Sequence, residues 1–186
     1  PQEWYDSQAP LFEGLWKTLE ISNDDFIRTT EPRHIRVVQA MFGKLMEQGD
    51  IYKGTYEGQY CVPCETYVPE SSAGEGNTCP DCGRPLILMR EESYFFRASK
   101  YVPQLIDHYE KHLNGVMPRV RYNEIMSFLR GEVRDQSVSR TTLKWGIPIP
   151  GDEKHVIYVW FDALINYATA VGYLDDPAMF QKYWPV

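Results

Sequence analysis

The 186-residue chain has no apolar run approaching the ~20 residues a helix needs to cross a bilayer, so no membrane partner is expected. It also lacks a basic excess. Its 26 acidic residues against 19 basic ones give a formal net charge of −7, where a free-standing nucleic-acid module normally reads basic. An acidic protein can still carry a local basic surface, so contact with RNA stays open. The opening Pro1-Gln2-Glu3-Trp4-Tyr5-Asp6 is acidic and has neither the charge nor the apolar stretch of a secretory signal. It has no starting methionine, so the natural beginning is expected elsewhere. There are only four cysteines, and with no sign of secretion two stable disulfides would be out of place. Internal repeats and low-complexity tracts are missing as well.

The remainder is the composition of a folded globular protein: 43% hydrophobic, 24% charged, with 13 tyrosines and five tryptophans. The length suits one large domain or two small ones. Residues 8–19 are predicted to be helical, with Phe12, Leu15, Trp16 and Leu19 on one buried stripe. Residues 25–30, Asp-Phe-Ile-Arg-Thr-Thr, read as a short strand. A helix follows, capped by Thr29 or Thr30, with Pro32 in its first turn and Ile35, Val38, Met41, Phe42 and Leu45 as its apolar side. Gly49 is its stop. From Asp50 the pattern changes: residues 51–96 carry tyrosine, glycine, proline and cysteine without helical period, and predict short strands and turns with a loop over 71–77. Helices return over 100–113, with Val102, Leu105, Ile106 and Tyr109 on one face, and over 123–130, ending at Gly131. The near-continuous apolar run Val156–Trp160 reads as a strand buried on both faces. A helix from Ala163 to about Val171 follows it, capped by Asp162 and stopped by Gly172, as in the repeating unit of a parallel α/β sheet.

The cysteines carry the clearest chemistry. Two residues separate Cys61 from Cys64 and Cys79 from Cys82, with fourteen between the pairs. That spacing aims four thiolates at one tetrahedral ion and favours zinc over a redox pair or disulfides. Four sulfur ligands leave no position for water or substrate, so such a site is structural. Gly83, just after Cys82, lets the backbone fold back and donate N–H groups to the sulfurs.

Several stretches together resemble the methionyl-tRNA synthetases, which are class I aminoacyl-tRNA synthetases. They are Asp25-Phe26-Ile27-Arg28-Thr29-Thr30-Glu31 with His34 close behind; Gly49-Asp50-Ile51-Tyr52-Lys53-Gly54 leading into Tyr56-Glu57-Gly58-Gln59-Tyr60-Cys61; the cysteine quartet; Glu91-Glu92-Ser93-Tyr94-Phe95-Phe96-Arg97; Ser137-Val138-Ser139-Arg140-Thr141-Thr142 with Trp145-Gly146-Ile147-Pro148; and Tyr158-Val159-Trp160-Phe161-Asp162-Ala163-Leu164. They follow the family's order along nearly the whole chain, and the bacterial type with one zinc knuckle fits best. The resemblance implies an α/β fold: an incomplete Rossmann-like catalytic core, residues 1–50 and 156–186, interrupted by a connective-peptide insertion over 51–155 whose zinc knuckle spans 61–82. It implies methionine binding by Trp160, Ala163, Leu164 and Tyr167, with leucine at 164 where some members have proline. It places Arg140 in the active site, where a guanidinium suits a phosphate or carboxylate. On residue chemistry alone, the aromatic stripe also fits ordinary core, and Arg140 a surface or strand-edge position.

The family's HIGH and KMSKS signatures are absent, so the chain reads as the middle of a methionine–tRNA ligase. It is expected to be inactive alone, while the complete, cytoplasmic enzyme would use L-methionine, ATP with Mg2+, and tRNA(Met), and hold one structural Zn2+. Rival readings are another class I synthetase and a stand-alone zinc-ribbon RNA-binding module. The acidic pairs Asp24–Asp25 and Glu91–Glu92 read as solvated faces or caps, and Asp162 as a helix cap only.

Overall fold

The computed structural model describes residues 1–184 except 65, 70 and 71, and the chain divides into two compact units, Pro1–Lys44 with Thr142–Val186, and Leu45–Thr141. No helix among the described residues is long and apolar enough to cross a membrane.

In the first unit, helix α1 spans Gln2–Thr18 and so begins earlier than its apolar stripe indicates. Ala9 is its only buried residue; Phe12, Leu15 and Leu19 are exposed and Trp16 is half-buried, edge-on to Phe26 at 6.3 Å. A 3.6-residue period reports which side of a helix is apolar, not whether anything covers it. Residues 25–30 are not a strand. The amides a ladder would need are held by side chains: Phe26 N donates to Asp25 Oδ1 at 2.8 Å, and Arg28 N to Glu31 Oε1 at 3.2 Å. Arg33 then clamps both acids, at 2.8 Å to Asp25 and 2.7 Å to Glu31.

Helix α2, Pro32–Glu47, starts from the Glu31 carbonyl, which accepts from His34 N and Ile35 N at 3.0 Å each. The expected threonine cap is not made. The buried Thr30 hydroxyl has no hydrogen-bond partner among the described residues. The buried side of α2 is His34, Val37, Val38 and Phe42, with Ile35, Met41 and Leu45 only half-buried. Gly49, at φ 71°, ends it as expected: Asp50 N reaches back to Leu45 O and Gly49 N to Met46 O, the pairing that a left-handed glycine permits.

Strand β6 (Pro148–Ile149) and strand β7 (Asp152–Ile157) form an antiparallel hairpin. Gln39 of α2 donates to the Pro148 carbonyl at 2.9 Å. The apolar run therefore leaves the strand at Ile157, not at Trp160. Phe161 N and Asp162 N both turn back to the Tyr158 carbonyl, so Val159 and Trp160 open helix α5 (Val159–Leu164). Helix α6 (Asn166–Ala170) continues after Ile165, and helix α7 (Pro177–Tyr183) is capped by Asp176, which accepts from Met179 N.

The second unit is built on strands β1 (Ile51–Cys61), β2 (Thr66–Val68), β3 (Ile87–Phe96) and β4 (Gln136–Ser137), ordered β2-β1-β3-β4 and antiparallel throughout. β1 and β3 pair continuously from Ile51↔Phe96 to Tyr60↔Ile87, a longer ribbon than the glycine-rich sequence predicts. Residues 73–77 form the expected loop with one isolated bridge from Gly74 to Thr78, Ser72 sits in a tight helical turn, and residue 71 is outside the described residues. Helix α3 (Ala98–Lys111) lays Val102, Ile106 and Tyr109 against Tyr122, Met126 and Leu129 of helix α4 (Arg119–Arg130), leaving Leu105 exposed. Gly131 ends α4 as its sequence predicts.

Candidate functional site

The four cysteines converge at the far end of the β1–β3 ribbon. Cys61 is the last residue of β1, and a turn returns the chain to Cys64. The second pair sits on a loop closed by Cys79 N to Arg84 O and Gly83 N to Cys79 O, both 2.8 Å, with Gly83 at φ 69°. The four sulfurs lie within 4.8 Å of one another, Cys61 and Cys82 at 3.5 Å. A Zn–S bond of about 2.3 Å implies a tetrahedral edge of about 3.8 Å, so the cluster has the size of a four-thiolate cage. The thiols are free, and 3.5 Å is far beyond the about 2.05 Å of a disulfide. Cys61 and Cys79 are buried with Val68 and Leu86, while Cys64 and Cys82 are exposed.

The expected backbone donors are present. The Arg84 amide holds the Cys82 thiol down at about 7, and the Cys64 amide bonds Cys61, whose thiol burial pushes up. The sulfurs of Cys82 and Cys61 push Cys64 up to about 12. Four thiolates cannot share this space without a cation, and a bound divalent metal ionises its thiols outright.

In the first unit, Trp160, Ala163 and Leu164 lie on α5 and Tyr167 on α6, at the i, i+3, i+4 and i+7 spacing of one helix face. They are not core: Trp160 is 65%, Leu164 62% and Tyr167 61% exposed, with Ala163 half-buried. The opposite side is packed, with Asp162, Ile165, Ala168 and Thr169 buried and Phe161 edge-on to Phe42 at 5.6 Å. Asp162 is therefore not the helix cap its sequence position predicts, since Tyr158 occupies that place. Its carboxylate instead meets the fully buried His34: Nε2 lies 2.9 Å from Asp162 Oδ1, and Nδ1 3.1 Å from Thr169 Oγ1. Sequence reasoning missed this triad. Its one available signal was a histidine standing on the apolar side of α2.

Arg140 lies in the second unit, on strand β5 (Ser139–Arg140), half-buried. Its Nη1 donates to Ser137 Oγ at 2.8 Å and to the Ser139 carbonyl at 2.7 Å. A buried hydroxyl set supports the strand, with Ser139 Oγ accepting from Tyr94 N at 2.9 Å and meeting Ser93 Oγ at 3.2 Å. Glu91 is not a merely solvated acid. It accepts from both Thr141 N at 3.0 Å and Thr141 Oγ1 at 2.5 Å, which fixes the chain just beyond Arg140. Asp25, in its pair with Arg33, is a structural acid, its carboxyl held low by that guanidinium.

The family model described as tRNA synthetases class I (M) matches residues 1–86 and 84–186. The methionine–tRNA ligase of Thermotoga maritima is 50% identical over 188 residues, covering all of this chain and 30% of that protein. The enzyme of Caldanaerobacter subterraneus is 51% identical, again over the whole chain and 29% of its own length. A crystal structure of Mycobacterium tuberculosis methionyl-tRNA synthetase bound by methionyl-adenylate superposes with a TM-score of 0.84 at 36% identity, covering 97% of this chain and 37% of that one. The chain thus spans about 30% of the length of the curated relatives it matches. With the family model matched along its length and relatives about 50% identical over the whole chain, the chain belongs to the class I tRNA synthetases, in their methionyl branch.

Proposed function

We propose that this chain is a portion of a methionine–tRNA ligase and supplies one wall of its methionine pocket. The observation that carries the reading is the exposed face of Trp160, Ala163, Leu164 and Tyr167, three of whose large apolar side chains stand in solvent. Rigid aromatic rings give such a wall shape, and sulfur–aromatic contacts worth on the order of 1 kcal/mol each favour a thioether over an aliphatic chain. Shape has to supply most of the discrimination, because one methylene is worth only about 1–3 kcal/mol. In the complete protein ATP with Mg2+ would activate L-methionine, and the amino acid would pass to tRNA(Met). Arg140, its guanidinium anchored on Ser137 and the Ser139 carbonyl, would bind the adenylate phosphate or the carboxylate.

In the same reading, residues 1–50 and 156–186 belong to a Rossmann-like catalytic core, and 51–155 form the connective-peptide insertion. The compact unit Leu45–Thr141 supports an insertion of this kind. Cys61, Cys64, Cys79 and Cys82 would hold one Zn2+, whose role is structural because four sulfurs leave no open position. A cytoplasmic location belongs to the same proposal.

The test is amino-acid-dependent ATP–pyrophosphate exchange by the full-length protein across all twenty amino acids, with Trp160→Ala alongside. Methionine alone should support exchange. Trp160→Ala should raise the KM for methionine at least about tenfold, the loss of about 1.4 kcal/mol or more of contact, with the KM for ATP nearly unchanged. Exchange with a different amino acid moves the chain's role to a sister enzyme. No exchange from folded protein, joined by salt-dependent RNA binding, would favour a zinc-ribbon module instead.

A further inference from the structure

We propose that His34 is a positioning residue for the amino-acid pocket, a brace that holds α5 and α6 as one wall. The inference rests on the pocket reading above. The four wall residues are split between two short helices, because the helix is interrupted at Ile165. Asn166 begins the second helix with its side-chain amide donating to the Ala163 carbonyl. Two helices of six and five residues are too short to keep their mutual angle by backbone bonding alone.

The His34 imidazole spans this break. Nε2 contacts Asp162 of α5 at 2.9 Å, and Nδ1 contacts Thr169 of α6 at 3.1 Å. Asp162 lies between Trp160 and Ala163 in sequence, and Thr169 two residues beyond Tyr167, so each contact fixes one half of the wall from behind. The ring is rigid and belongs to α2, a sixteen-residue helix. An ionised carboxylate only accepts, so Nε2 carries the hydrogen. The Thr169 hydroxyl also lies 3.2 Å from the carbonyl of Ile165, the residue at the break, and its single hydrogen goes either there or to Nδ1. Apolar packing of Phe161, Ile165 and Ala168 holds the helices down but is non-directional and tolerates sliding. Hydrogen bonds weaken steeply when misaligned, and these are the directional contacts behind the wall. With His34 fully buried, water cannot replace a lost partner.

The experiment uses the full-length protein. His34→Ala leaves a buried void, so the decisive variant is Thr169→Val, nearly isosteric and lacking only the hydroxyl, with Thr169→Ser as the conservative rescue. In methionine-dependent pyrophosphate exchange, Thr169→Val should raise the KM for methionine on the order of tenfold, as a sub-ångström misplacement of a binding wall does. The KM for ATP should stay within about twofold, and Thr169→Ser should restore the wild-type value. Amide hydrogen exchange over residues 159–170 should quicken on the order of tenfold in Thr169→Val, because a local opening there is easier. The inference is overturned if that exchange is unchanged, if both KM values rise together, or if serine behaves as valine does. A Trp160→Ala control separates the two levels. If it raises the KM for methionine while Thr169→Val does not, the pocket stands and the brace is wrong. If it leaves that KM untouched, the pocket reading fails and the brace falls with it.

Discussion

Gly172 shows how much a single position can carry. It ends the turn after α6 at φ 80°, and its carbonyl accepts from Asp175 N at 3.1 Å and Asp176 N at 2.8 Å. A Cβ there would lie 2.8 Å from Asp176 Cβ and 3.1 Å from its carbonyl oxygen. Gly151, in the β6–β7 turn, has the same φ of 80° with nothing within 4 Å of a built Cβ. The pair separates two costs. Gly151→Ala should lose only the left-handed penalty, about 1–2 kcal/mol. Gly172→Ala should lose that and an overpacking term as well, about 2–5 kcal/mol in all. Urea midpoints would check this, and equal losses would mean the turn at 172 relaxes around the methyl. Residues of this kind are legible in sequence where the signal is local. The cysteine pairs and the stops at Gly49, Gly131 and Gly172 each depend on neighbours a few positions away. The His34–Asp162 contact joins residues 128 positions apart, and no local pattern reports it. Asp162 was misplaced for a related reason: the strand ends at Ile157, so the cap falls on Tyr158.

At the level of elements, periodicity located α2 and α3 but could not say which faces meet a partner. The stripe of α1 is the example, apolar by pattern and exposed in the structure. Residues 25–30 have β-favouring side chains, yet Asp25 and Glu31 take their amides, a competition that propensity does not see. The long β1–β3 ribbon shows the reverse, since ten consecutive cross-strand pairs override the weak local preference of its glycines. Its two ends are held differently. Near Ile51 and Phe96 it stacks Tyr52 on Phe95 at 5.7 Å and Phe96 on Tyr101 at 5.6 Å. At the other end the buried cluster is small: Cys61, Val68, Cys79 and Leu86. A metal held by the four cysteines, as proposed, would supply folding energy for the far end alone, where apparent values for small structural zinc sites run to about 10–16 kcal/mol. Stripping the metal with a thiol-mercurial and chelator should release one zinc per chain. It should raise amide exchange at residues 59–61 and 78–86 by orders of magnitude while leaving 51–54 and 93–96 protected. Uniform loss along the ribbon would show instead that the sheet folds only around the metal.

Across the whole molecule, 26 acidic residues face 19 basic ones, and the acids with specific partners lie in both compact units. Asp25 is held below the ordinary aspartate value of 3.8 by hydrogen bonds from Arg33. Asp50 is held low by Lys100 and Tyr101, whose polar atoms lie 2.5 and 2.6 Å from its two oxygens. Burial raises Asp135, but hydrogen bonds from Ser99 and Tyr52 outweigh it and leave that carboxyl low as well. All three folded values lie below their unfolded ones. The stability they contribute is therefore complete above about pH 5, and is lost as pH falls through 3.8 and then through the lower folded values. From pH 7 to about 5 these groups should leave the melting temperature flat. Acid also strips metal from thiolates, so the wild-type curve alone would mix two causes. Asp50→Asn isolates one of them, because metal loss is common to both proteins and cancels in their difference. The variant should melt below wild type at pH 7, and the gap should close as pH falls past 3.8, since a protonated Asp50 and an asparagine are electrostatically alike. A gap that persists undiminished at low pH would mean that Asp50 contributes through shape and neutral hydrogen bonding, not through its charge beside Lys100.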